Sequence, residues 1–470
     1  MVDLHALGVR ARERIRKLVE SNKHECVQLA VVTGLLLGFT TWFDGTTPHR
    51  LFEGAVYSWF QIHLALADNG KPLPVVVVDI SGLDSQQHLD SRHLPDRLSP
   101  REQLRSLIDV IAAQEPYAIG IDVDFSREKN EWTERGGPQL FDHLRELRTK
   151  TYLGVNRTRY GKSEDWLGDA RYKDLAVTLA LPADDNRKLP LWIGTGNPDD
   201  CYARVANLVG ETPPKSASGS HGCLFSMSVA LALDYPNREH PGPCRWLCSA
   251  PSFEEYTIES RQINTELFMV NYGAVQLLRK QAVSGIDLLV DPGSSALANR
   301  IVILGNAQWE TTPDKYPIPY PLPPWQKEVP GIFFHASGVY TLIKGPLHEI
   351  TPLSRTTLDV LAVLICFLVQ KGPLYVLRRF QKKQSGEPEI ALRQDHARWI
   401  ATWFVILLVL AFGGYGLLYF LGILWTDWPW VAITLLLHGW ADRRLERWEW
   451  FQDILRRLGL RSEAPEGGVI

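Results

Sequence analysis

The sequence predicts an α/β fold: an extracytoplasmic layered domain with a mainly parallel sheet, plus a four-helix membrane module with one N-terminal and three C-terminal spans. Three observations lead there. Residues 75–80 (VVVVDI) and 118–125 (AIGIDVDF) are strand-like runs too short for helices, and a helical pattern separates them. A strand–helix–strand unit of that kind implies parallel strands. Residues 26–43 carry no charge and residues 399–440 carry one, Asp427, whereas a bilayer takes about 20 apolar residues per helical span. Lysine and arginine, finally, crowd into three short segments.

Residues 1–25 form a basic N-terminus. Residues 26–43 (CVQLAVVTGLLLGFTTWF) form the first span. A basic stretch before an apolar one also describes a signal peptide, but no small-x-small cleavage site follows, so an uncleaved anchor is expected. Inside this span Gly34 and Gly38 are spaced to let another helix approach, either from this chain or from a second copy.

Residues 45–355 are the large domain, long enough for a sizeable core. After the first strand, Ser99 and Glu102 have capping-box spacing and Pro100 suits the first helical position. Leu104, Leu107, Ile108 and Ile111 then follow at helical intervals. Further strands are expected at 152–155, 191–194, 267–271 and 301–305, and helix pieces at 141–147 and 227–232.

The second span, 356–377, is interrupted by Asp359 and Lys371 and bent by Gly372-Pro373; a buried or interfacial helix is the other reading. The third and fourth spans are 399–425 and 428–440, with Trp42, Trp399, Trp425, Trp428 and Trp440 at span ends, where indole rings favour headgroups. Residues 378–398 are a basic loop. In the 441–470 tail, Leu445, Trp448, Phe451, Leu455 and Leu458 form one apolar stripe. Such a helix lies on the inner leaflet or docks a partner, unless it simply continues the last span.

Charge orients this arrangement. Residues 1–25, 371–398 and 441–470 hold 6, 7 and 6 Lys/Arg, that is 19 in 83 residues, against 31 in the 311 residues of 45–355. Basic segments stay cytoplasmic, so both termini are expected inside and the large domain outside. The net charge of −3 argues against a nucleic-acid binder working through global positive charge.

Asp79, Asp122 and Asp124 end the two leading strands, at the edge where open α/β sheets bind ligands. Carboxylates there suit a divalent cation or a polar ligand, or they cap the next loop. Asn271 and Asp314 are loop residues that contact a ligand or form turns, and His335 follows an apolar run as a packing element or a ligand contact. Cys201, Cys223, Cys244 and Cys248 are an even number of external thiols, suited to at least one disulfide; with His221 and His240 they could instead hold zinc. No Walker, Gly-x-Ser-x-Gly or His-Glu-x-x-His pattern is present. No cofactor or metal is assigned.

Several segments together resemble a known family. They are VVVVDI, residues 118–126 (AIGIDVDFS), Asn271-Tyr272-Gly273, residues 300–305 (RIVILG) with Asp314 downstream, and residues 330–345 (PGIFFHASGVYTLIKG). Over about residues 26–440 the chain is similar to the second type of CHASE extracellular sensor domain, a bacterial input module. That resemblance implies a sensor rather than an enzyme, with three spans after the domain. Relatives commonly continue into a cyclase or kinase, whereas 30 residues follow the last span here. The expected partners are therefore the lipid bilayer, an output protein in trans (a cyclase, kinase or caspase-like effector) and another copy of the chain. A structural anchor or assembly subunit with no ligand is the alternative, and an external hydrolase or phosphotransferase a third reading resting on the carboxylates alone.

Overall fold

Four consecutive valines must be covered on both faces, and the fold is organised around them. In the computed structural model, β1 (Val75–Asp79) buries all four. The structure describes chiefly residues 68–83, 100–123, 136–155, 170–179, 188–194, 223–236, 253–258, 261–293, 297–310, 314–322, 326–344, 348–349, 353–364 and 408–414, with isolated residues elsewhere. The chain divides into two units, one of residues 51–351 with 417–424, the other of 1–50, 352–416 and 425–470.

In the first unit β1 is followed by α1 (Pro100–Ala112), β2 (Ala118–Asp122), α2 (Gly137–Glu146), β3 (Lys150–Val155) and β4 (Ala176–Thr178). Next come β5 (Lys188–Pro190), β6 (Trp192–Gly194), β7 (Cys223–Phe225), α3 (Met227–Leu233), β8 (Phe253–Ile258) and β9 (Arg261–Met269). Then follow α4 (Ala274–Lys280), β10 (Val283–Ser284), α5 (Gly285–Val290), β11 (Ile301–Gly305), β12 (Lys315–Leu322), β13 (Gln326–Pro330) and α6 (Gly331–Lys344). Two short strands, β14 (His348–Glu349) and β15 (Ile423–Leu424), pair in parallel. The latter comes from the end of the expected third span.

The main sheet is parallel, in the order β10-β1-β11-β2-β3-β4. The leading strands are parallel as expected but are not neighbours, because β11 is inserted between them. Crossovers β1 to β2, β2 to β3 and β10 to β11 all step the same way, which puts α1, α2 and α5 on one face. There Val76, Val78, Ile119, Ile121, Val302 and Leu304 pack in one core with Leu104, Leu107, Ile108 and Ile111 of α1, the four residues at helical spacing. The alternate residues Val75, Val77, Ala118, Ile301 and Ile303 are buried on the other face, where α3, α4 and α6 pack. Contact there is close. A Cβ on Gly120 would stand 2.7 Å from Leu231 Cδ1 and 3.2 Å from Met227 Sδ, both on α3.

α6 is buried on every side from Gly331 to Ile343. Ser228 Oγ of α3 donates to the His335 carbonyl (3.1 Å), and a Cβ on Gly338 would run into the Ser228 side chain, so two small residues let the helices meet. β5, β9, β6 and β7 form an antiparallel sheet with β8 paired to β9, and β12 and β13 form a hairpin leading into α6.

In the second unit the described residues of 353–364 and 408–414 are helical. Leu361, Leu364, Leu408, Val409 and Phe412 are exposed there, Phe412 by 70%. Among the described residues no helix is long and apolar enough to cross a membrane. Most of the expected spans 26–43, 356–377, 399–425 and 428–440, and the segments 1–25, 378–398 and 441–470, lie outside the described residues. Gly34 and Gly38 are described and helical.

Candidate functional site

Strand register places three of the residues at the C-terminal edge of the main sheet in one row. Asp79 pairs with Gly305, and Gly305 with Asp122. Alternation turns all three toward the face that carries α6. Loops after β1 and β2 lead to α1 and α2 on one face, whereas the chain after β11 leads through the hairpin to α6 on the other. Diverging exits of this kind open the crevice in which open α/β sheets bind ligands. Gly305 is required there, since a Cβ would lie 2.9 Å from Ile332 Cδ1, 3.1 Å from Asp122 Cβ and 3.2 Å from the Asp122 carbonyl oxygen.

Asp79 serves the backbone. Its Oδ1 accepts from the N–H of Ser81 (3.1 Å) and of Ala307 (3.1 Å), tying the loop after β1 to the loop after β11. The capping alternative therefore describes Asp79 better than a ligand contact does. Asp79→Ala should cost about 1–2 kcal/mol by leaving two partly buried donors unmade, whereas Asp79→Asn, which keeps an acceptor oxygen, should cost under about 1 kcal/mol; thermal unfolding of the two variants separates them.

Asp122, Asp314 and His335 form the electrostatic centre of this edge. The Asp314 carboxylate lies against Gly331, where a Cβ would run into its Oδ2, and the Asp314 carbonyl accepts from the Gly331 N–H (2.9 Å). The positive end of the α6 dipole therefore faces that carboxylate. Asp122 is half-buried; burial first, and the Asp314 carboxylate second, push its pKa up from 3.8 to about 8. At neutral pH it holds a proton and can donate a hydrogen bond. His335 is 4% exposed, and burial holds its imidazole down to about 4, with Asp314 pulling the other way. Its Nδ1 is buried and has no hydrogen-bond partner among the described residues. The edge thus offers a protonated carboxyl, a carboxylate at a helix N-terminus and a neutral imidazole with an unused nitrogen, a set suited to hydrogen-bonding a polar ligand. Among the described residues no three His, Cys, Asp or Glu side chains converge to hold a metal.

Aromatic rings adjoin the centre. Trp309 packs on Phe333 with ring centroids 5.6 Å apart, the Arg279 guanidinium carbon lies 4.7 Å from the Trp309 ring centre, and the buried Trp309 Nε1 has no partner among the described residues. Sequence reasoning missed Trp309, Gly305 and Gly331 as site residues. The signal available was their position just after, at the end of, or at the start of an element.

The other sequence candidates are placed differently. Asn271 is buried and turns its own backbone: Oδ1 accepts from the Gly273 N–H (3.0 Å), and its N–H donates to Thr341 Oγ1 (2.8 Å). Thr341 is six residues past His335, about 9 Å along α6, so Asn271 takes the turn-forming role and not a place among the carboxylates. Asp124, Cys201, Cys244 and Cys248 lie outside the described residues, and Cys223 is in β7 with its side chain not described.

Compared with known families, the chain matches the CHASE2 domain over residues 29–369, more than two thirds of its length. The chain belongs to the CHASE2 family. CHASE2 domains are sensory, supplying signal input rather than catalysis. No curated protein and no solved structure matches this CHASE2 chain. The matched range takes in the main sheet, the Asp122–Asp314–His335 edge and the apolar residues 29–43 and 356–369.

Proposed function

We propose that this chain is a membrane-held, extracytoplasmic signal-input protein that passes a ligand or envelope signal to an output protein in trans. The observation that carries this reading is the CHASE2 match, which covers a sensory domain together with apolar sequence on both sides of it. The candidate input site is the edge formed by Asp122, Asp314 and His335. Ligand binding there must favour one of two arrangements of the domain to transmit anything. α6 is placed for that role, because its first turn touches Asp314 and its last residue, Lys344, precedes the apolar 356–377 stretch by twelve residues.

Several facts support the membrane half of the proposal. The exposed Leu361, Leu364, Leu408, Val409 and Phe412 are large apolar side chains in apolar sequence, which lipid accommodates and water does not. The basic segments 378–398 and 441–470 suit the cytoplasmic face. An effector of the cyclase, kinase or caspase-like kind would read the 378–398 loop or the 441–470 tail. A pull-down from intact membranes, with and without residues 441–470, is expected to recover such a protein; recovery of none in either case contradicts the transmission half of the proposal.

A further inference from the structure

The opposite, N-terminal edge of the main sheet holds a cavity of about 240 Å³. Leu73, Pro74 and Ile343 supply apolar walls, and Tyr235, Arg300 and Lys344 supply the polar ones. Its size is below the roughly 300–1,000 Å³ of pockets that enclose drug-sized molecules. At about 30 Å³ per water, it has room for one small anion and a few waters.

Arg300 brings to this cavity a positive charge that no described carboxylate balances. The Arg300 backbone is committed, its N–H to the Leu297 carbonyl (3.3 Å) and its carbonyl to the Tyr117 N–H (2.9 Å). Its guanidinium is not: among the described residues no carboxylate pairs with it. Burial lowers its pKa, with Tyr235 acting against that. The neighbouring acids are taken. Asp68 accepts from the Tyr340 hydroxyl (2.8 Å) and pairs with Lys344 (3.4 Å) and Lys71 (3.3 Å). Asp234 is bonded by Lys150 and by the Tyr152 hydroxyl. Lys344 and Lys71 thus share Asp68, while no described carboxylate pairs with the Arg300 guanidinium.

The backbone beside Arg300 is strained. Asn299 has φ 59° and Glu115 φ 56°, both in the left-handed region, and the Asn299 N–H donates to the Glu115 carbonyl (3.3 Å). Each such residue costs about 1 kcal/mol or more, and strain of this kind collects where a side chain must be aimed. Asn299 and Arg300 both line the cavity.

We propose that this cavity binds a phosphate-bearing anion, with the planar Arg300 fork gripping two phosphate oxygens and Lys344 adding a point charge. Free inorganic phosphate and the phosphate of a lipid headgroup share this chemistry. The site is separate from the Asp122 edge but shares α6 with it, since Lys344 is that helix's last residue and Gly331 its first.

The test uses the full chain, wild type and with Arg300→Gln, Arg300→Lys or Lys344→Gln. One arm titrates sodium phosphate, against a sodium chloride control, into the chain held in neutral detergent. The other compares unfolding temperature in phosphatidylcholine nanodiscs and in discs doped with phosphatidylglycerol. The first arm does not depend on the membrane reading, and the second does. Phosphate binding weakened at least about tenfold in Arg300→Gln, and less in Lys344→Gln and Arg300→Lys, supports the site with a free anion as its source. Stabilisation confined to the anionic discs and lost in Arg300→Gln supports it with a lipid source. Absence of both effects in the wild type, or binding unchanged in the Arg300→Gln and Lys344→Gln variants, overturns the proposal. If Arg300→Gln fails to fold, Arg300→Lys and Lys344→Gln stand in for it: weakened binding in both supports the site, and unchanged binding in both overturns it.

Discussion

Replacing Asp122 with Asn is expected to change how folding stability depends on pH throughout the interval from about pH 4 to about pH 8, and above pH 6.5 Asp122 acts alone. Asp122 binds its proton more tightly in the folded chain than in the unfolded one, at about 8 against 3.8. Between those values the folded state holds more protons, so stability is full below about pH 4 and is lost as pH rises toward 8, by at most about 1.4 kcal/mol per pH unit. His335 has the opposite sign. Its folded value is about 4 against 6.5, so its contribution is present above 6.5 and is lost as pH falls toward 4. The two slopes oppose each other from pH 4 to 6.5, and that of Asp122 alone remains from 6.5 to 8. The wild type should therefore lose stability across the upper window. Asp122→Asn should not, and the gap between the two should widen there by up to about 2 kcal/mol. In the lower window the variant should show the rise due to His335, uncovered. Denaturant unfolding at a series of pH values checks both, and parallel curves for the two proteins would contradict the charge assignment.

A larger loss is expected at Phe334. Its side chain is fully buried in α6, with ring centroids 5.0 Å from Tyr272 and 5.6 Å from Tyr316, both near edge-on. It thereby fastens α6 to the start of α4 and to the hairpin that carries the chain from Asp314 back to Gly331. Phe334→Ala should cost about 3–5 kcal/mol, lowering the unfolding temperature by about 10 °C in a domain of this size. Phe334→Leu should cost roughly 1–2 kcal/mol. If α6 couples the Asp122 edge to the rest of the chain, the alanine variant should also lose output at temperatures where it is still folded. Full output with reduced stability would make Phe334 a packing residue only.

What the sequence disclosed follows from the reach of each signal. β1, β2 and β11 were legible because a β-branched run is local, and α1 was legible because Pro100 and the Leu104–Leu107–Ile108–Ile111 spacing are local as well. The insertion of β11 between β1 and β2 was not, since nothing near residue 80 or residue 120 encodes a partner beyond residue 300. That insertion sets the row Asp79–Gly305–Asp122, so the carboxylates could be named in advance but their roles could not. α6 escaped because a helix buried on all sides has no polar face to give it a period. β12 escaped because Pro317, Pro319 and Pro321 look like breakers. The strand pairs on either side of Pro319 and Pro321, at Lys315 to Pro317 and at Leu322, and its register shifts between them, as prolines in a strand require. Asp79 and Asn271 show a further limit. A carboxylate or amide after a strand reads the same whether it meets a ligand or its own backbone, and only the N–H groups of Ser81, Ala307 and Gly273 separate the two cases.

The proposed function puts the CHASE2 sensor domain on one side of a membrane and the surfaces read by its partner on the other. Paired compartment-sensitive reporter fusions at residues 200 and 385 of the full chain test it most directly. The fusion at 200 is expected to report from outside the cytoplasm and the fusion at 385 from inside. Both reporting from the same side would contradict the claim.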